Sequence, residues 1–342
     1  MDHTGYIIDT LGRGEMPSEE ALAHLIEECD EESVSRVCRA AQAVAEERFG
    51  RRVWLRGLVE VWSRCEGGCR YCGLRAENCD LVRYEMSSEE IIGACREAYR
   101  LGLRTFVLQG GQVRDRVEKV ESIVRRLKEE FADVAVTLSL GEQTREAYER
   151  WRRAGADRYL LRHETASEEH YKELHPERMN FHHRRECLAW LKELGYQTGA
   201  GMMVGSPHQR VEDLVADLRY LRELRPEMVG IGPFMPQADT PMAAHPRGSV
   251  ERTLLMVALV RLMLPDAMIP ATTALASASE SGTLRGVMAG ANVVMPNVTP
   301  RCYREHYVIY DHKKQTGSEA AEGIAGLAAD LQTIDYKICW EK

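Results

Sequence analysis

The sequence predicts a single α/β domain folded as a (β/α)8 TIM-type barrel with helical extensions at its N- and C-terminal ends. Short apolar segments alternate with amphipathic helical segments, and no linker, low-complexity run or break in composition divides the 342 residues. Strands that alternate with helices form a parallel sheet, and eight such units over about 250 residues fit a closed barrel. An open doubly wound sheet remains possible, because periodicity does not reveal closure. The predicted strands are 53–62, 105–109, 134–139, 158–162, 198–204, 228–231, 269–272 and 292–295.

The chain divides into an N-terminal helical extension (1–50), the barrel (51–310) and a C-terminal extension packed on the barrel (311–342). Pro17-Ser18-Glu19-Glu20 is typical of a helix start, and 31–49 continues with Ala, Glu and Arg at helical spacing. Inside the barrel, Ser87-Ser88-Glu89-Glu90 predicts a capping box for a helix that ends near residue 101. Further barrel helices are predicted at 115–131, 143–153, 183–194, 211–224, 250–264 and 282–289.

Composition narrows the class of protein. Hydrophobic residues make up 44% and charged residues 29% of the chain, which is typical of a globular protein with an ample core. The net charge of −8 argues against a surface built for nucleic acid or an anionic membrane. No apolar run reaches the roughly 20 residues needed to cross a bilayer, and the N-terminus has no signal-peptide pattern. We therefore expect a cytoplasmic protein, in whose reducing environment cysteines serve metal binding or chemistry.

Three cysteines follow the first predicted strand in the pattern C-x3-C-x2-C: Cys65, Cys69 and Cys72. Glycines between them allow the tight backbone turns that wrap a compact metal centre. Iron–sulfur clusters usually take four thiolates, so three would leave one iron open to another ligand. Two alternatives remain: a structural zinc site with Cys79 as fourth ligand, and a redox pair of Cys69 and Cys72.

Three other strand ends carry unusual residues, and barrel enzymes place their chemistry at such ends. Gln109-Gly110-Gly111-Gln112 ends the second strand, although an ordinary strand-to-helix turn would look the same. Arg162 and Glu164 alternate at the end of the fourth strand, either as a structural ion pair or as ligand contacts, with His163 expected to be structural. Gly199 to Gly205 is a glycine-punctuated strand that indicates close backbone approach, with Met202 inside it.

The cysteine pattern, with the aromatic Tyr71 before its last cysteine, resembles the signature loop of the radical SAM superfamily. This resemblance implies one 4Fe-4S cluster on the three cysteines and S-adenosylmethionine (SAM) chelated at the fourth iron. Reductive cleavage of SAM would then give a 5′-deoxyadenosyl radical. The resemblance further implies that Gln109 and Gly110 meet the methionine amino group through their backbone, and that the Met202 strand packs along the adenine. The family's usual acidic residue is Gln112 here.

Longer segments resemble the HydE family of iron-iron hydrogenase maturases, and they span roughly residues 50 to 310. They are 72–75, 136–142, 157–165, 228–234, 269–274 and 292–297. By position, this resemblance implies SAM contacts for Thr137, Arg162, Glu164 and Arg184. It implies that Thr272, Thr273 and Tyr307 line the inner cavity where substrate and radical meet, which makes them the candidate catalytic residues. Residues 311–321 contain no cysteine, so we expect no accessory cluster.

The HydE resemblance implies a substrate and partners. The substrate would be a cysteine-bound iron carrying CO and cyanide, on the path to the diiron subcluster of the hydrogenase active site (the H-cluster). The partners would be the maturases HydG and HydF and a reductase, flavodoxin or ferredoxin as electron donor. The alternatives are a HydE paralogue or a methylornithine synthase-like mutase acting on an amino acid, and more remotely a zinc-binding scaffold.

Overall fold

Six parallel strands follow one another in chain order around the central sheet of the computed structural model, which describes residues 2–28, 30–313 and 320–342. They are β2 (Gly57–Trp62), β3 (Thr105–Gly110), β4 (Ala135–Ser139), β5 (Arg158–Leu160), β6 (Gln197–Val204) and β7 (Met228–Pro233). A second, three-stranded sheet has the order β8-β1-β9 and consists of β1 (Arg52–Leu55), β8 (Val293–Val294) and β9 (Lys337–Cys339).

The sheet closes into a barrel through irregular segments. Isolated parallel bridges link Met228 to Met268, Pro270 to Val293, and Leu58 to Asn297. The last bridge returns the chain to β2, where Leu58 N donates to Pro296 O and Val298 N donates to Leu58 O. The α/β barrel expected from the alternation of elements is therefore confirmed.

Two predicted strands differ from the structure. The segment 53–62 is two strands, β1 and β2, separated at the buried Arg56, and only β2 belongs to the six-stranded sheet. The segment 269–272 is not a strand and contributes only the bridge at Pro270. Proline has no N–H to donate to a ladder, which explains why regular pairing stops there.

Helices lie between the strands and at both ends of the chain. Ser87 caps α4 through the predicted capping box, in which its hydroxyl and the Glu90 carboxylate each bond the other's backbone N–H. The helices are α1 (His3–Gly12), α2 (Glu19–Glu28), α3 (Glu31–Phe49), α4 (Ser88–Arg100), α5 (Val117–Glu130), α6 (Arg145–Ala154), α7 (Glu168–Leu174), α8 (Phe181–Glu193), α9 (Val211–Leu224), α10 (Val250–Met263), α11 (Thr273–Ala278), α12 (Gly282–Met288), α13 (Arg301–Arg304) and α14 (Ala320–Gln332).

The terminal segments contact the body of the protein. Helix α3 lies along α10, whose residues from Thr253 to Met263 are all buried. At the other end, β9 pairs in parallel with β1. Residues 314–319, part of the predicted C-terminal extension, lie outside the described residues. Among the helices that the structure describes, none is long and apolar enough to cross a membrane.

Candidate active site

The three cysteines of the C-x3-C-x2-C pattern lie in the loop between β2 and α4, and all are free thiols. Burial raises the pKa of Cys65, raises that of Cys69 to about 12, and raises that of Cys72 well above its ordinary value. Without a metal, these thiols would stay protonated at neutral pH. Bound iron would supply the positive charge that stabilises the thiolates, so the donor set fits an iron–sulfur cluster.

The cysteine loop is held by backbone contacts from several sides. Glu66 N donates to Gln112 O at 2.8 Å, and Gly73 N donates to Ile309 O at 3.1 Å. The Arg83 guanidinium donates to four carbonyl oxygens around the loop, those of Ser63, Leu74, Arg75 and Asn78. The positions of the thiols are therefore set by the backbone and do not depend on a bound metal alone.

In the described part of the chain, Cys79 is not placed as a fourth ligand for the zinc alternative. Cys79 is exposed, and its thiol lies 3.6 Å from Glu77 O. Among residues 2–28, 30–313 and 320–342, no group of three or more His, Cys, Asp or Glu side chains is placed to hold a single metal ion, and this includes the three cysteines themselves. The Cys65 and Cys69 sulfurs both adjoin Gly67, 3.3 and 3.9 Å from where a Cβ on that residue would be.

Two glycines let the end of β3 lie against the cysteine loop. A Cβ on Gly110 would lie 2.6 Å from the Trp62 indole nitrogen, and one on Gly111 would lie 2.2 Å from Arg64 O. Trp62 Nε1 donates to Gly111 O at 2.7 Å, which fixes this approach. The side chain of Gln112 turns to the next loop, where its Oε1 accepts from Glu142 N at 3.0 Å. Gln112 therefore links this turn to the loop after β4.

Beside the cysteines lie polar atoms that have no hydrogen-bond partner among the described residues: Thr137 Oγ1, Arg162 Nε and Nη2, and Glu164 Oε2. Arg162 Nη2 and Glu164 Oε2 form an ion pair at 3.0 Å without hydrogen-bond geometry, so the structural ion pair considered above is present. Unpaired buried polar atoms are costly in a folded protein. Arg162 and Glu164 follow the end of β5 and Thr137 lies within the neighbouring β4, and together these atoms mark a site for a polar ligand.

The backbone at Glu164 is strained, and strand β6 holds it in place through two hydrogen bonds. Its φ of 68° lies in the left-handed region, which a residue with a Cβ adopts at a cost. Glu164 N donates to Gly201 O at 3.0 Å, and Met203 N donates to Glu164 O at 3.2 Å. The fully buried Met202 pairs with Glu164 through an isolated bridge.

Arg184 and Tyr71 border the same region. Arg184 Nε donates to Glu142 Oε1 at 2.7 Å, and its Nη1 donates to Arg162 O at 2.9 Å, so much of its guanidinium is already engaged. Burial is the main cause of the raised pKa of Cys69. The Arg184 guanidinium lowers this pKa and the Glu164 carboxylate raises it, so both charged groups lie near Cys69. Tyr71 OH lies 3.5 Å from His175 Nε2, and its ring packs against a cluster formed by Leu174, Met203, Phe234 and Met242.

The three candidate catalytic residues lie on other elements of the barrel. Gln109 Nε2 donates to Tyr307 OH at 3.3 Å. Burial, and then the Glu60 carboxylate, raise the pKa of Tyr307 well above its ordinary value, so its hydroxyl stays protonated. Thr272 caps α11, with its Oγ1 donating to Ile231 O and accepting from Leu275 N, and Thr273 is the first residue of that helix. Both threonines are half-buried.

Sequence reasoning missed several charged residues here, namely Glu60, Glu142, Asp217 and Lys313. Glu60 is fully buried in β2, and its Oε2 accepts from Asn297 Nδ2 at 3.0 Å. A single acid between Val59 and Val61 was a signal in the sequence. The other three have no local signal, because their partners are distant along the chain.

The sequence profile of the Radical SAM superfamily matches residues 59–258. This chain belongs to the radical SAM superfamily, and it is accordingly an enzyme of a family that uses a 4Fe-4S cluster and SAM. Within that superfamily it is a homologue of the [FeFe] hydrogenase maturase subunit HydE of Thermotoga maritima, with 48% identity over 276 residues that cover 80% of this chain and 78% of that protein.

Other relatives are more distant. The 3-methylornithine synthase of Methanosarcina barkeri is 26% identical over 91% of this chain and 88% of its own length. Among solved structures, methylornithine synthase (PylB) superposes with a TM-score of 0.84 at 24% identity, covering 97% of each chain. HydG from Carboxydothermus hydrogenoformans gives 0.81 at 21% identity over 98% of this chain and 79% of that one. These two structures confirm the fold.

Proposed function

We propose that this radical SAM enzyme is a HydE-type maturase that acts on a cysteine-bound iron carrying CO and cyanide during assembly of the diiron subcluster of [FeFe]-hydrogenase. The observation that carries the proposal is the 48% identity to the Thermotoga maritima maturase over most of both chains. Among the relatives named above, the methylornithine synthase matches more of this chain at only 26% identity.

The site residues would share the work as follows. Cys65, Cys69 and Cys72 would hold the cluster, and Gln109 and Gly110 would present backbone groups to the methionine end of SAM. Thr137, Arg162 and Glu164 would offer SAM the polar atoms that have no partner among the described residues, with Arg184, Met202 and Tyr71 around them. When bound, the cluster supplies the electron that cleaves SAM to methionine and a 5′-deoxyadenosyl radical.

The barrel interior would hold the substrate away from water. Thr272, Thr273 and Tyr307 would line this space, and the Tyr307 hydroxyl is oriented by Gln109. Holding the reacting atoms in one orientation inside a dry cavity lowers the barrier and keeps competing hydrogen donors out. The iron precursor would come from HydG and the product would pass to HydF, with a reductase, flavodoxin or ferredoxin as electron donor.

The alternative is a paralogue or a methylornithine synthase-like mutase that rearranges an amino acid. The observation that supports this alternative is the match to 3-methylornithine synthase over 91% of this chain, at 26% identity. The two functions differ in product, so a direct comparison of products separates them.

The test is maturation of a hydrogenase apoprotein in a defined mixture of HydF, HydG, SAM, reductant and this protein, read out as hydrogen evolution. We expect activity with the wild-type chain and none with Cys69→Ala. Formation of 5′-deoxyadenosine without any hydrogenase activity would refute the maturase function. Formation of methylornithine from lysine under the same conditions would support the mutase instead.

A further inference from the structure

Glu60 is a carboxylate inside the barrel that the cluster and SAM residues do not use. It is 0% exposed. In the sheet register it stands opposite Gln109, so the two side chains point to the same face of neighbouring strands. Since Gln109 bonds Tyr307 in the interior, Glu60 also faces the interior. A buried carboxylate keeps its charge only when a cation and hydrogen-bond donors compensate it.

The compensation comes from an ammonium group and one neutral amide. Glu60 Oε1 accepts from Lys313 Nζ, and Glu60 Oε2 accepts from Asn297 Nδ2 at 3.0 Å. The Lys313 ammonium also lies 4.9 Å from the centre of the Tyr307 ring. A carboxylate, an orienting amide and an aromatic face are together the groups that recognise an ammonium ion.

Lys313 reaches this place from a segment that crosses the barrel mouth, the strap, which we define as residues 307–313. The strap is bound to the cysteine loop by Gly73 N donating to Ile309 O. It is bound to the loop after β7 by Asp311, whose N donates to Pro236 O and whose Oδ2 accepts from Ala238 N. The Lys313 side chain is 14% exposed, whereas that of Glu60 is 0% exposed, so the lysine enters from the outer side.

A cavity adjoins the Lys313 side chain. A cavity of about 250 Å³ is lined by Asn297, Tyr307, Tyr310 and Lys313, among others. The hydroxyl of Tyr310 is buried, and the Ser277 side chain is its hydrogen-bond partner. The cavity therefore offers room and polar contacts for more than the lysine side chain.

We propose that Glu60, Asn297 and Tyr307 form an ammonium-binding subsite, which Lys313 fills when no substrate is bound and which the amino group of an amino-acid-derived substrate takes in its place. Exchanging one ammonium for another keeps the Glu60 carboxylate paired throughout. The inference rests on the proposed function in one respect: a cysteine-bound iron carries such an amino group on its cysteine.

The experiment compares an amine with its analogue that lacks the amino group. The probes are S-methyl-L-cysteine and 3-(methylthio)propionate, titrated calorimetrically into cluster-loaded protein saturated with SAM. Neither probe has a free thiol that could bind the cluster. We expect the wild-type protein to prefer the amine, and Glu60→Gln to lose that preference.

Removing the internal competitor gives the sharper result. Lys313→Ala should bind S-methyl-L-cysteine about tenfold more tightly than the wild type, because the subsite is then open at all times. The control Lys172→Ala removes an exposed lysine that pairs with Glu168 on the surface, and should leave binding unchanged. Iron content and circular dichroism verify that each variant is folded.

The proposal is overturned if folded Lys313→Ala binds the amine no more tightly than the wild type. It is equally overturned if the wild type does not distinguish the two probes, a measurement that requires no variant to fold. Amine preference that depends on Glu60, in a protein that fails to mature hydrogenase, would support the subsite and refute only the maturase function.

Discussion

His163 and Asp217 form a buried pair behind the proposed SAM site, with His163 Nε2 3.1 Å from Asp217 Oδ1. Gly201 N donates to His163 Nδ1 at 3.3 Å, so Nε2 carries the proton and donates to the carboxylate. The same Asp217 oxygen accepts from Ala166 N at 2.5 Å. These bonds hold the turn that presents Arg162 on one side of His163 and the strained Glu164 on the other.

We predict that Asp217→Asn weakens SAM binding through this turn. Loss of a hydrogen bond to a charged group should cost about 1.5 kcal/mol or more. If this loss displaces Arg162 and Glu164, the dissociation constant for SAM should rise roughly tenfold. The measurement is the KM for SAM in 5′-deoxyadenosine formation, with the melting temperature recorded alongside.

Asp213→Asn is the matched control for that experiment. Asp213 is also buried on α9, where its Oδ2 accepts from Arg210 N at the start of the helix. Its replacement should lower the melting temperature and leave the KM for SAM unchanged. An Asp217→Asn variant that is less stable but binds SAM normally would show that the pair only stabilises the fold.

Thr137→Val is predicted to weaken SAM binding without lowering stability. The Thr137 hydroxyl is buried and has no partner in the described part of the chain, so valine removes an unpaired polar group from the protein alone. The free energy of unfolding should be equal to or above that of the wild type. The KM for SAM should rise by several fold, about what the loss of a 1 kcal/mol hydrogen bond gives.

The opposite result is expected for Thr105→Val. The buried Thr105 Oγ1 accepts from Arg158 Nη1 at 3.1 Å, so valine leaves a buried guanidinium with one acceptor fewer. Unfolding should become easier by about 1–3 kcal/mol, with SAM binding unaffected. If Thr137→Val behaved in this way instead, its hydroxyl would have a structural partner and the SAM assignment would be wrong.

Gly111→Ala is predicted to distort the cysteine loop. The added Cβ would lie 2.2 Å from Arg64 O and 2.6 Å from the Cys65 Cβ, and backbone cannot yield as a flexible side chain can. We expect a lower cluster occupancy, measured as iron and sulfide per chain after anaerobic reconstitution. Gly93→Ala is the control. The Cβ added at this position in α4 would have nothing within 4 Å, and alanine should stabilise the helix by about 0.5–1 kcal/mol relative to glycine. Full cluster loading in Gly111→Ala would contradict the close approach.

The sequence revealed features whose residues lie close together along the chain, and it did not reveal contacts between residues that are far apart along it. The cysteine loop and the Ser87 cap are local patterns, and both were found. The pairing of Arg184 with Glu142 spans 42 residues and that of Lys313 with Glu60 spans 253. Periodicity carries no information on such contacts. The cofactor and substrate roles of the individual site residues stay predictions.

One of the two strand errors has the same origin. Residues 53–62 are continuously apolar apart from Arg56, Gly57 and Glu60, but β1 pairs with β8 and β9 whereas β2 pairs with β3. A change of partner within an apolar run leaves no mark on its hydrophobicity. Pro270, by contrast, was a visible reason to shorten the strand at 269–272.

The cysteine ligands separate a 4Fe-4S cluster from a zinc site. Cys69→Ala should abolish the reduced-cluster EPR signal and its change on addition of SAM, because two protein thiolates cannot retain the cluster firmly. Cys79→Ala should change neither the EPR signal nor its response to SAM. Cys79 is exposed, and its thiol contacts Glu77 O and not the other three thiols. Zinc uptake in place of iron, lost in both variants, would instead identify a four-cysteine zinc site and would contradict the assignment of this loop to radical SAM chemistry.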